Sequence, residues 1–204
     1  MMVGNVRISW TPPEPREGWK GAWDRLVGPG ATSAELWLQL GPATVAGMAL
    51  PLYAILSGLG WSLVQLLVAG VLAFDMTGGI VTNATSSAKR WYHREGAGFW
   101  QHLGFILLHG AQVFLVTWLF LGMDWTFFGV FYGYLIVASL IVLWTPLYLQ
   151  RPSALLLYCG AVLLNRYAFT ATVGMEWFIP FFFMKLLVSH LVKEAPYRPE
   201  DESC

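Results

Sequence analysis

The fold is decided by apolar stretches such as WSLVQLLVAGVLAFDMTGGIVT, which covers residues 61–82 and contains one ionisable residue, Asp75. A helix that crosses the hydrocarbon core of a membrane needs about 20 mostly apolar residues. This stretch meets that requirement, and a Gly-Leu-Gly turn over residues 58–60 precedes it. It therefore predicts a helix that spans a membrane.

The composition of the 204-residue chain points the same way. Apolar residues make up 56% of the chain, charged residues make up 12%, and the mean hydropathy is +0.55. Soluble domains carry about 25% charged residues. The composition therefore argues against a soluble enzyme, a disordered chain and a coiled coil. Because the formal net charge is zero, a basic nucleic-acid-binding domain is excluded as well, and no nucleic-acid partner is expected.

Six runs of this apolar kind occur along the chain. They cover residues 34–57, 61–82, 99–121, 126–149, 153–173 and 177–193. Before the first run, Thr32 and Glu35 stand at the spacing of a helix capping box. The first, third and fifth connections are short, and each joins a glycine to a tryptophan, as suits a tight turn at a membrane interface. The sequence predicts an all-α integral membrane protein with six transmembrane helices in three hairpins.

Positive charge is confined to alternate connections. Of the 12 Lys and Arg residues, all but Arg166 and Lys185 lie in the N-terminal segment, the second and fourth connections, or the C-terminal tail. Cytoplasmic segments carry the excess of Lys and Arg, so both termini are predicted to be cytoplasmic. The predicted organisation is a cytoplasmic or interfacial segment over residues 1–33, a transmembrane domain over residues 34–193, and a mobile cytoplasmic tail over residues 194–204.

Few ionisable side chains fall inside the predicted helices, and each is a candidate functional residue because charge is costly at membrane depth. Counting about 1.5 Å per residue from the helix ends divides these side chains into two depths. The central band contains Asp75, His109, Arg166 and Lys185, and the inner band contains His93, His102 and His190. The predicted catalytic residues are Asp75, as the acid or base, with His109 or His102 assisting.

Asp75 begins the most polar stretch of the chain, which runs to residue 94. On a helix, Asp75, Gly79 and Thr82 share one face, and a glycine beside the carboxylate lets a neighbouring helix or a ligand approach closely. The stretch predicts a site that opens to the cytoplasm. Its candidate substrate-binding residues are Asn83, Arg90 and His93.

The charges of the central band do not balance. Arg166 and Lys185 bring two positive charges, and Asp75 brings one negative charge. One interpretation pairs Asp75 with either cation for structure alone. The other cation, with Asn165 nearby on the fifth helix, then predicts a site for the phosphate or carboxylate headgroup of a lipid or isoprenoid.

The four histidines do not predict a metal site. His102 and His109 lie about 10.5 Å apart along a helix axis, too far to bind one zinc ion, whose histidine nitrogens lie at about 2.0–2.1 Å. A bis-histidine haem needs histidines at matched depths on facing helices; His102 and His190 could qualify, but no other sequence signal supports that pair. The sequence thus identifies no cofactor, and haem and metal are disfavoured.

These observations favour a membrane-embedded enzyme that acts on a lipophilic, lipid-like or isoprenoid-like substrate. Two alternatives stay open: a small transporter, channel or proton-relay protein that uses the same polar residues, and a non-catalytic membrane subunit. The expected partners are the lipid bilayer and a lipophilic or anionic small molecule. Gly129 and Gly133 form a GxxxG pair, which predicts close helix packing, either within the chain or in a homo-oligomer.

Overall fold

The structure is a computed structural model that describes residues 6–170 and 172–199. Two short strands, β1 (Val6–Ile8) and β2 (Tyr197–Pro199), pair antiparallel. Between the strands the chain is helical: α1 (Gly18–Val27), α2 (Ser33–Leu56), α3 (Leu63–Ala84), α4 (Ser86–Tyr92), α5 (Phe99–Leu108), α6 (Gly110–Phe120), α7 (Trp125–Trp144), α8 (Leu147–Ala168) and α9 (Phe178–Phe183). A π-helical segment, Met184–His190, continues α9 without a break.

Five helical stretches are long and apolar enough to cross a membrane. They are α2, α3, α5 together with α6, α7, and α8. Each coincides with one of the first five predicted runs, so several apolar helices of spanning length are confirmed. Their outward surfaces are apolar and exposed, as lipid contact requires; examples are Trp37, Met48, Val71, Tyr148 and Leu156.

The sixth predicted run, over residues 177–193, is shorter in the structure. Its helix covers Phe178–His190, which is below the length of the five spanning stretches. A turn closed by side chains precedes it: the Glu176 carboxylate accepts the Gly174 N–H at 2.8 Å, and Trp177 Nε1 donates to Gly174 O at 2.9 Å. A sixth helix of spanning length is therefore not confirmed.

The third predicted run contains a break at His109, where α5 ends and α6 begins. At Gly110 a Cβ would overlap the ring of Tyr132, so the glycine allows α7 to approach closely. Side chains satisfy carbonyls next to the break. His109 Nδ1 donates to Phe105 O at 2.7 Å, and the Tyr132 hydroxyl donates to Leu107 O at 3.1 Å. The break therefore holds His109 in a fixed orientation.

The core lies where α7, α8 and α9 meet the π-helical segment and the middle of α3. Its largest fully buried side chains include Phe131, Phe178, Phe182, Phe183 and Leu186. The GxxxG pair takes no part in it, because a Cβ at Gly129 or Gly133 would meet no atom within 4 Å. Packing of that pair inside the chain was therefore a wrong prediction, and the homo-oligomer stays a prediction.

The two ends of the described chain lie side by side. In the β1–β2 pair, Arg7 stands opposite Arg198. Arg198 also forms an ion pair with Glu35 at 3.0 Å and donates to Gly30 O at 3.1 Å. The first residues of the predicted mobile tail, up to residue 199, are thus held by hydrogen bonds, while residues 200–204 lie outside the described chain.

Candidate functional site

A cavity of about 310 Å³ lies against the second half of α3. Its apolar wall comes from α1, α2, α3 and α5, through Leu26, Leu40, Phe74 and Phe105. Its polar lining includes Gln39, Asp75, Thr82, Asn83, His109 and Lys185. The cavity therefore combines an apolar wall with hydrogen-bonding groups at membrane depth, which is the usual make-up of a small-molecule site.

Asp75 lies in the cavity wall and pairs with Lys185. Lys185 Nζ donates to Asp75 Oδ2 at 2.6 Å, and the Asp75 side chain is 41% exposed whereas that of Lys185 is 4% exposed. Gly79 makes the pair possible, since a Cβ there would overlap the aliphatic part of the Lys185 side chain. Asp75, Gly79 and Thr82 all line the cavity, in agreement with their predicted shared face.

A second donor reaches the same carboxylate oxygen. Gln112 Nε2 on α6 donates to Asp75 Oδ2 at 2.6 Å. The charge of Lys185 is thus already balanced by Asp75, and a lone cation awaiting an anion is not found at this position. The structural alternative, in which Asp75 pairs with Lys185, agrees with the geometry.

His109 also lines the cavity, and its tautomer is set by a hydrogen bond at the break between α5 and α6. A backbone carbonyl only accepts hydrogen bonds, so the contact with Phe105 O places the proton on Nδ1. In the neutral imidazole, Nε2 is then the acceptor. His109 is therefore a base candidate in the wall that also contains Asp75.

Gln39 is a cavity residue that sequence reasoning missed. It is 1% exposed, and its Nε2 donates to Val27 O at 3.2 Å and to Thr85 Oγ1 at 3.3 Å. A neutral amide inside an apolar run gives no charge signal, and both partners are distant in sequence. Polarity in the first turns of α2 was the only clue that the sequence offered.

The other predicted histidines meet in a separate cluster at the C-terminal end of α3, which we call the histidine cluster: His93, His102 and His190. His102 Nδ1 lies 3.2 Å from His190 Nε2, and His93 Nε2 donates to His190 O at 3.0 Å. All three are buried. His102 therefore does not share a wall with Asp75, contrary to its predicted assisting role in one site with Asp75.

Lys89 joins the histidine cluster from α4. It is 2% exposed, and its Nζ donates to Ser189 O at 2.6 Å and to Val192 O at 2.5 Å. Burial lowers the pKa of Lys89 to about 8, a shift that Glu194 opposes and Arg151 reinforces. Burial, with His102 and Lys89 close by, lowers the pKa of His93 to about 3, so His93 is neutral at pH 7.

A hydrogen-bonded contact links the two regions. His190 Nδ1 lies 3.5 Å from Asn83 Oδ1, and Asn83 lines the cavity. His93 and His102 line a smaller cavity of about 190 Å³, together with Gln150 and Lys193. The histidine cluster thus lies between two cavities.

Three predicted substrate-binding residues lie elsewhere. Arg166 is exposed in the last turn of α8, where its guanidinium lies 5.9 Å from the Tyr167 ring centroid, and Asn165 is beside it. The helix covers Leu147–Ala168 instead of the predicted residues 153–173, so Arg166 lies two residues from its end and not slightly beyond its middle. Arg90 is buried and donates to Pro29 O at 3.4 Å, which ties α4 to the segment before α2.

Within residues 6–170 and 172–199, no group of three or more His, Cys, Asp or Glu residues has a geometry that could hold a metal ion. The facing nitrogens of His102 and His190 contact each other at 3.2 Å, which leaves no space for an iron between them. Comparison with protein-family models, with curated proteins and with solved structures gives no match. The function therefore has to be inferred from the site.

Proposed function

We propose that the chain is an integral membrane protein with six crossings and both termini in the cytoplasm. Pairing of β1 with β2 supports an even number of crossings, because it holds the two ends together. The short sixth helix supports the same count. It starts near Gly174, beside Leu59 and Trp61, and ends with His190 beside Asn83, so it runs antiparallel to the whole length of α3.

Cysteine labelling tests this topology. In a variant without native cysteines, Ser57→Cys reports on the first outer connection, and Glu95→Cys reports on the second connection; both positions are exposed. In sealed vesicles a membrane-impermeant maleimide is expected to label the two cysteines from opposite sides, with position 95 reached from the cytoplasmic side. Labelling of both from one side contradicts the proposal.

We further propose that the protein is a membrane-embedded enzyme that binds a lipophilic substrate in the cavity beside Asp75. The observation that carries this proposal is the exposure of the Asp75 side chain, 41%, in a helix of spanning length. Asp75 lies roughly 13 Å from the end of α3 at Ala84. A carboxylate exposed to hydrocarbon at that depth is costly, so the cavity needs a polar occupant.

The apolar part of the cavity wall supports entry from the lipid. Leu26 on α1 is 60% exposed and Phe74 on α3 is 42% exposed, and both also line the cavity. A substrate with an apolar chain can therefore keep that chain in lipid while its polar end reaches Asp75. The surface of α1, which also exposes Trp19, lies where the cytoplasmic headgroups are expected.

The roles of the site residues follow from their hydrogen bonds. His109 Nε2 is placed to take a proton from the polar end of the substrate, because Nδ1 is already used as a donor. Asp75, fixed by Lys185 and Gln112, orients that end by accepting a hydrogen bond. Lys185 neutralises the carboxylate and does not bind the substrate directly.

The enzyme proposal is tested with lipid extracts. Purified protein in nanodiscs is incubated with a total membrane lipid extract, and untargeted mass spectrometry compares wild type, His109→Gln and Arg166→Gln. We expect a lipid that is consumed by wild type and by Arg166→Gln, whose side chain is exposed on α8 and outside the cavity, but not by His109→Gln. Identical lipid profiles for all three and for empty nanodiscs contradict the proposal.

A second function, proton transfer across the bundle by way of the histidine cluster and the cavity, is favoured by one observation. The contacts from His102 to His190 and from His190 to Asn83 connect the two cavities. In proteoliposomes with a pH-sensitive dye, such a relay is expected to collapse a pH gradient, and His190→Phe is expected to stop it. A gradient that persists with wild-type protein argues against the relay.

A further inference from the structure

The hydrogen bonds around the cavity restrict what its occupant can be, because they leave several acceptors of the wall without a donor from the described residues. Gln39 shows this most clearly. Its Nε2 contacts Val27 O, which only accepts, and Thr85 Oγ1, which donates its own proton to Thr82 O at 2.7 Å. The orientation of the Gln39 amide is therefore fixed, with Oε1 as the remaining group.

Gln39 Oε1 is buried and has no hydrogen-bond partner in the described part of the chain. Gln39 lines the cavity and is 1% exposed. A buried acceptor without a donor is destabilising. Gln39 thus brings to the cavity wall an acceptor of fixed orientation that lacks a donor in this part of the chain.

Gln112 repeats the arrangement on the other side of Asp75. Its Nε2 donates to a carboxylate oxygen, which can only accept, so this amide orientation is fixed as well. Gln112 Oε1 is also buried and unpartnered among the residues that the structure describes. In both amides Oε1 is left without a donor within the described chain, and Gln39 is the one of the two that lines the cavity.

Asp75 and His109 also keep an acceptor atom to which no group in the described part of the protein donates. Lys185 and Gln112 both donate to Oδ2 of Asp75, so Oδ1 is the oxygen left for an occupant of the cavity. His109 contributes Nε2 as an acceptor, because its proton is on Nδ1. Lys185, the cation of the wall, already donates to the carboxylate.

From this set of acceptors we infer that the cavity binds a lipid whose headgroup is an uncharged alcohol or polyol. This inference rests on the proposed function and names its substrate class. Hydroxyl groups donate to carboxylate, amide and imidazole acceptors. An anionic headgroup would face the Asp75 carboxylate and the Gln39 amide, and Lys185 is already paired with Asp75. The phosphate or carboxylate headgroup expected from the sequence is therefore disfavoured.

The size of the cavity agrees with a headgroup and the first part of a chain. About 310 Å³ is at the lower end of the range for small-molecule sites, which runs from about 300 to 1,000 Å³. The exposed surfaces of Leu26 and Phe74 leave the rest of the chain in contact with lipid. An acylglycerol with one chain has these proportions.

The inference is tested with four lipids that share an oleoyl or oleyl chain: 1-mono-oleoylglycerol, oleoyl lysophosphatidate, oleylamine and methyl oleate. Native mass spectrometry of the wild-type protein in detergent gives a dissociation constant for each lipid. We expect mono-oleoylglycerol to bind at least tenfold more tightly than the other three. We expect Gln39→Leu to remove that preference and Arg166→Gln to retain it.

The outcomes separate the inference from the function on which it rests. Tighter binding of the lysophosphatidate or of the amine overturns the alcohol headgroup and leaves a lipid site in place. Equal affinity for methyl oleate shows that only the chain is recognised, and it also overturns the inference. Absence of binding for all four lipids overturns both the inference and the proposed lipophilic substrate. Because the comparison among lipids uses wild type, it does not depend on the folding of Gln39→Leu.

Discussion

The cavity and the histidine cluster both contain a buried lysine together with histidine, yet they differ in how many of their polar groups have hydrogen-bond partners. In the histidine cluster, Lys89 is 2% exposed and donates to two buried carbonyls, and His190 contacts both other histidines. In the cavity, Asp75 is 41% exposed, and Gln39 Oε1 has no partner among the described residues. Because buried polar groups are normally paired, we interpret the satisfied region as a structural tie and propose the unsatisfied region as the ligand site.

This difference explains why residue type alone does not locate a site in an apolar bundle. Lysine and histidine are equally rare and costly in both regions. Lys89 connects α4 to the end of the π-helical segment through the carbonyls of Ser189 and Val192. Lys185 likewise connects the π-helical segment to α3, but its partner Asp75 remains open to the cavity.

Loss of Lys89 is expected to give the largest effect. Lys89→Met removes two charge-assisted hydrogen bonds and leaves the carbonyls of Ser189 and Val192 buried without their donor. Part of this loss is offset because no charge is then buried, so we expect the free energy of unfolding to fall by about 3 kcal/mol. Denaturation in mixed micelles measures the change. Lys20→Met, at an exposed position on α1, is the control and is expected to change little; equal effects of the two variants would show that Lys89 ties nothing together.

Breaking the pair in the cavity is expected to cost less. Asp75→Asn leaves the buried Lys185 ammonium without its counter-charge, but the exposure of Asp75 reduces the penalty to about 2 kcal/mol. Combining it with Lys185→Met removes the unpaired charge and is expected to restore most of the stability without restoring lipid binding. The measurements are the same denaturation and the binding of mono-oleoylglycerol. A double variant that is no more stable than Asp75→Asn alone contradicts the pairing.

The histidine cluster is also expected to respond to acid. In the unfolded chain His93 binds a proton near pH 6.5, whereas in the folded chain burial and the nearby His102 and Lys89 lower its pKa to about 3. Stability is therefore complete above pH 6.5 and decreases as the pH falls from 6.5 towards 3. At pH 5.5 the loss from this one residue is about 1.4 kcal/mol. The free energy of unfolding is expected to change less between pH 7 and pH 5.5 in His93→Phe than in wild type. Some change is expected to remain in the variant, because His190, Lys193 and His102 face the same position.

Much of the helical architecture could be predicted because it depends on local patterns. Apolar run lengths located five stretches of spanning length. The capping-box spacing of Thr32 and Glu35 is confirmed by reciprocal hydrogen bonds of 3.1 Å and 2.8 Å. The shared face of Asp75, Gly79 and Thr82 follows from helical periodicity alone, and the structure places all three on the cavity.

The errors concern features that depend on tertiary contacts. The predicted position of Arg166 within its helix was wrong because α8 both begins and ends earlier along the chain than its predicted run. Gln39 went unnoticed because its significance depends on Val27 and Thr85, which α1 and α3 bring to it. The meeting of His102 with His190 depends on how the π-helical segment packs, which no run length predicts.

The smallest predicted effect compares two glycines and tests how tightly the cavity wall is built. Replacing a helical glycine by alanine normally stabilises a helix by up to about 1 kcal/mol. Gly129→Ala is expected to show this gain, because its Cβ would meet no atom within 4 Å. At Gly79 the added Cβ overlaps the Lys185 side chain, which has to move and so lengthens its contact with Asp75. We therefore expect the free energy of unfolding of Gly79→Ala to be about 1 kcal/mol lower than that of Gly129→Ala. We also expect Gly79→Ala, but not Gly129→Ala, to bind mono-oleoylglycerol more weakly than wild type. Equal stability and equal lipid binding of the two variants would show that the Lys185 side chain has room to move. The fixed contact between Lys185 and Asp75, on which the proposed acceptors of the cavity depend, would then not exist.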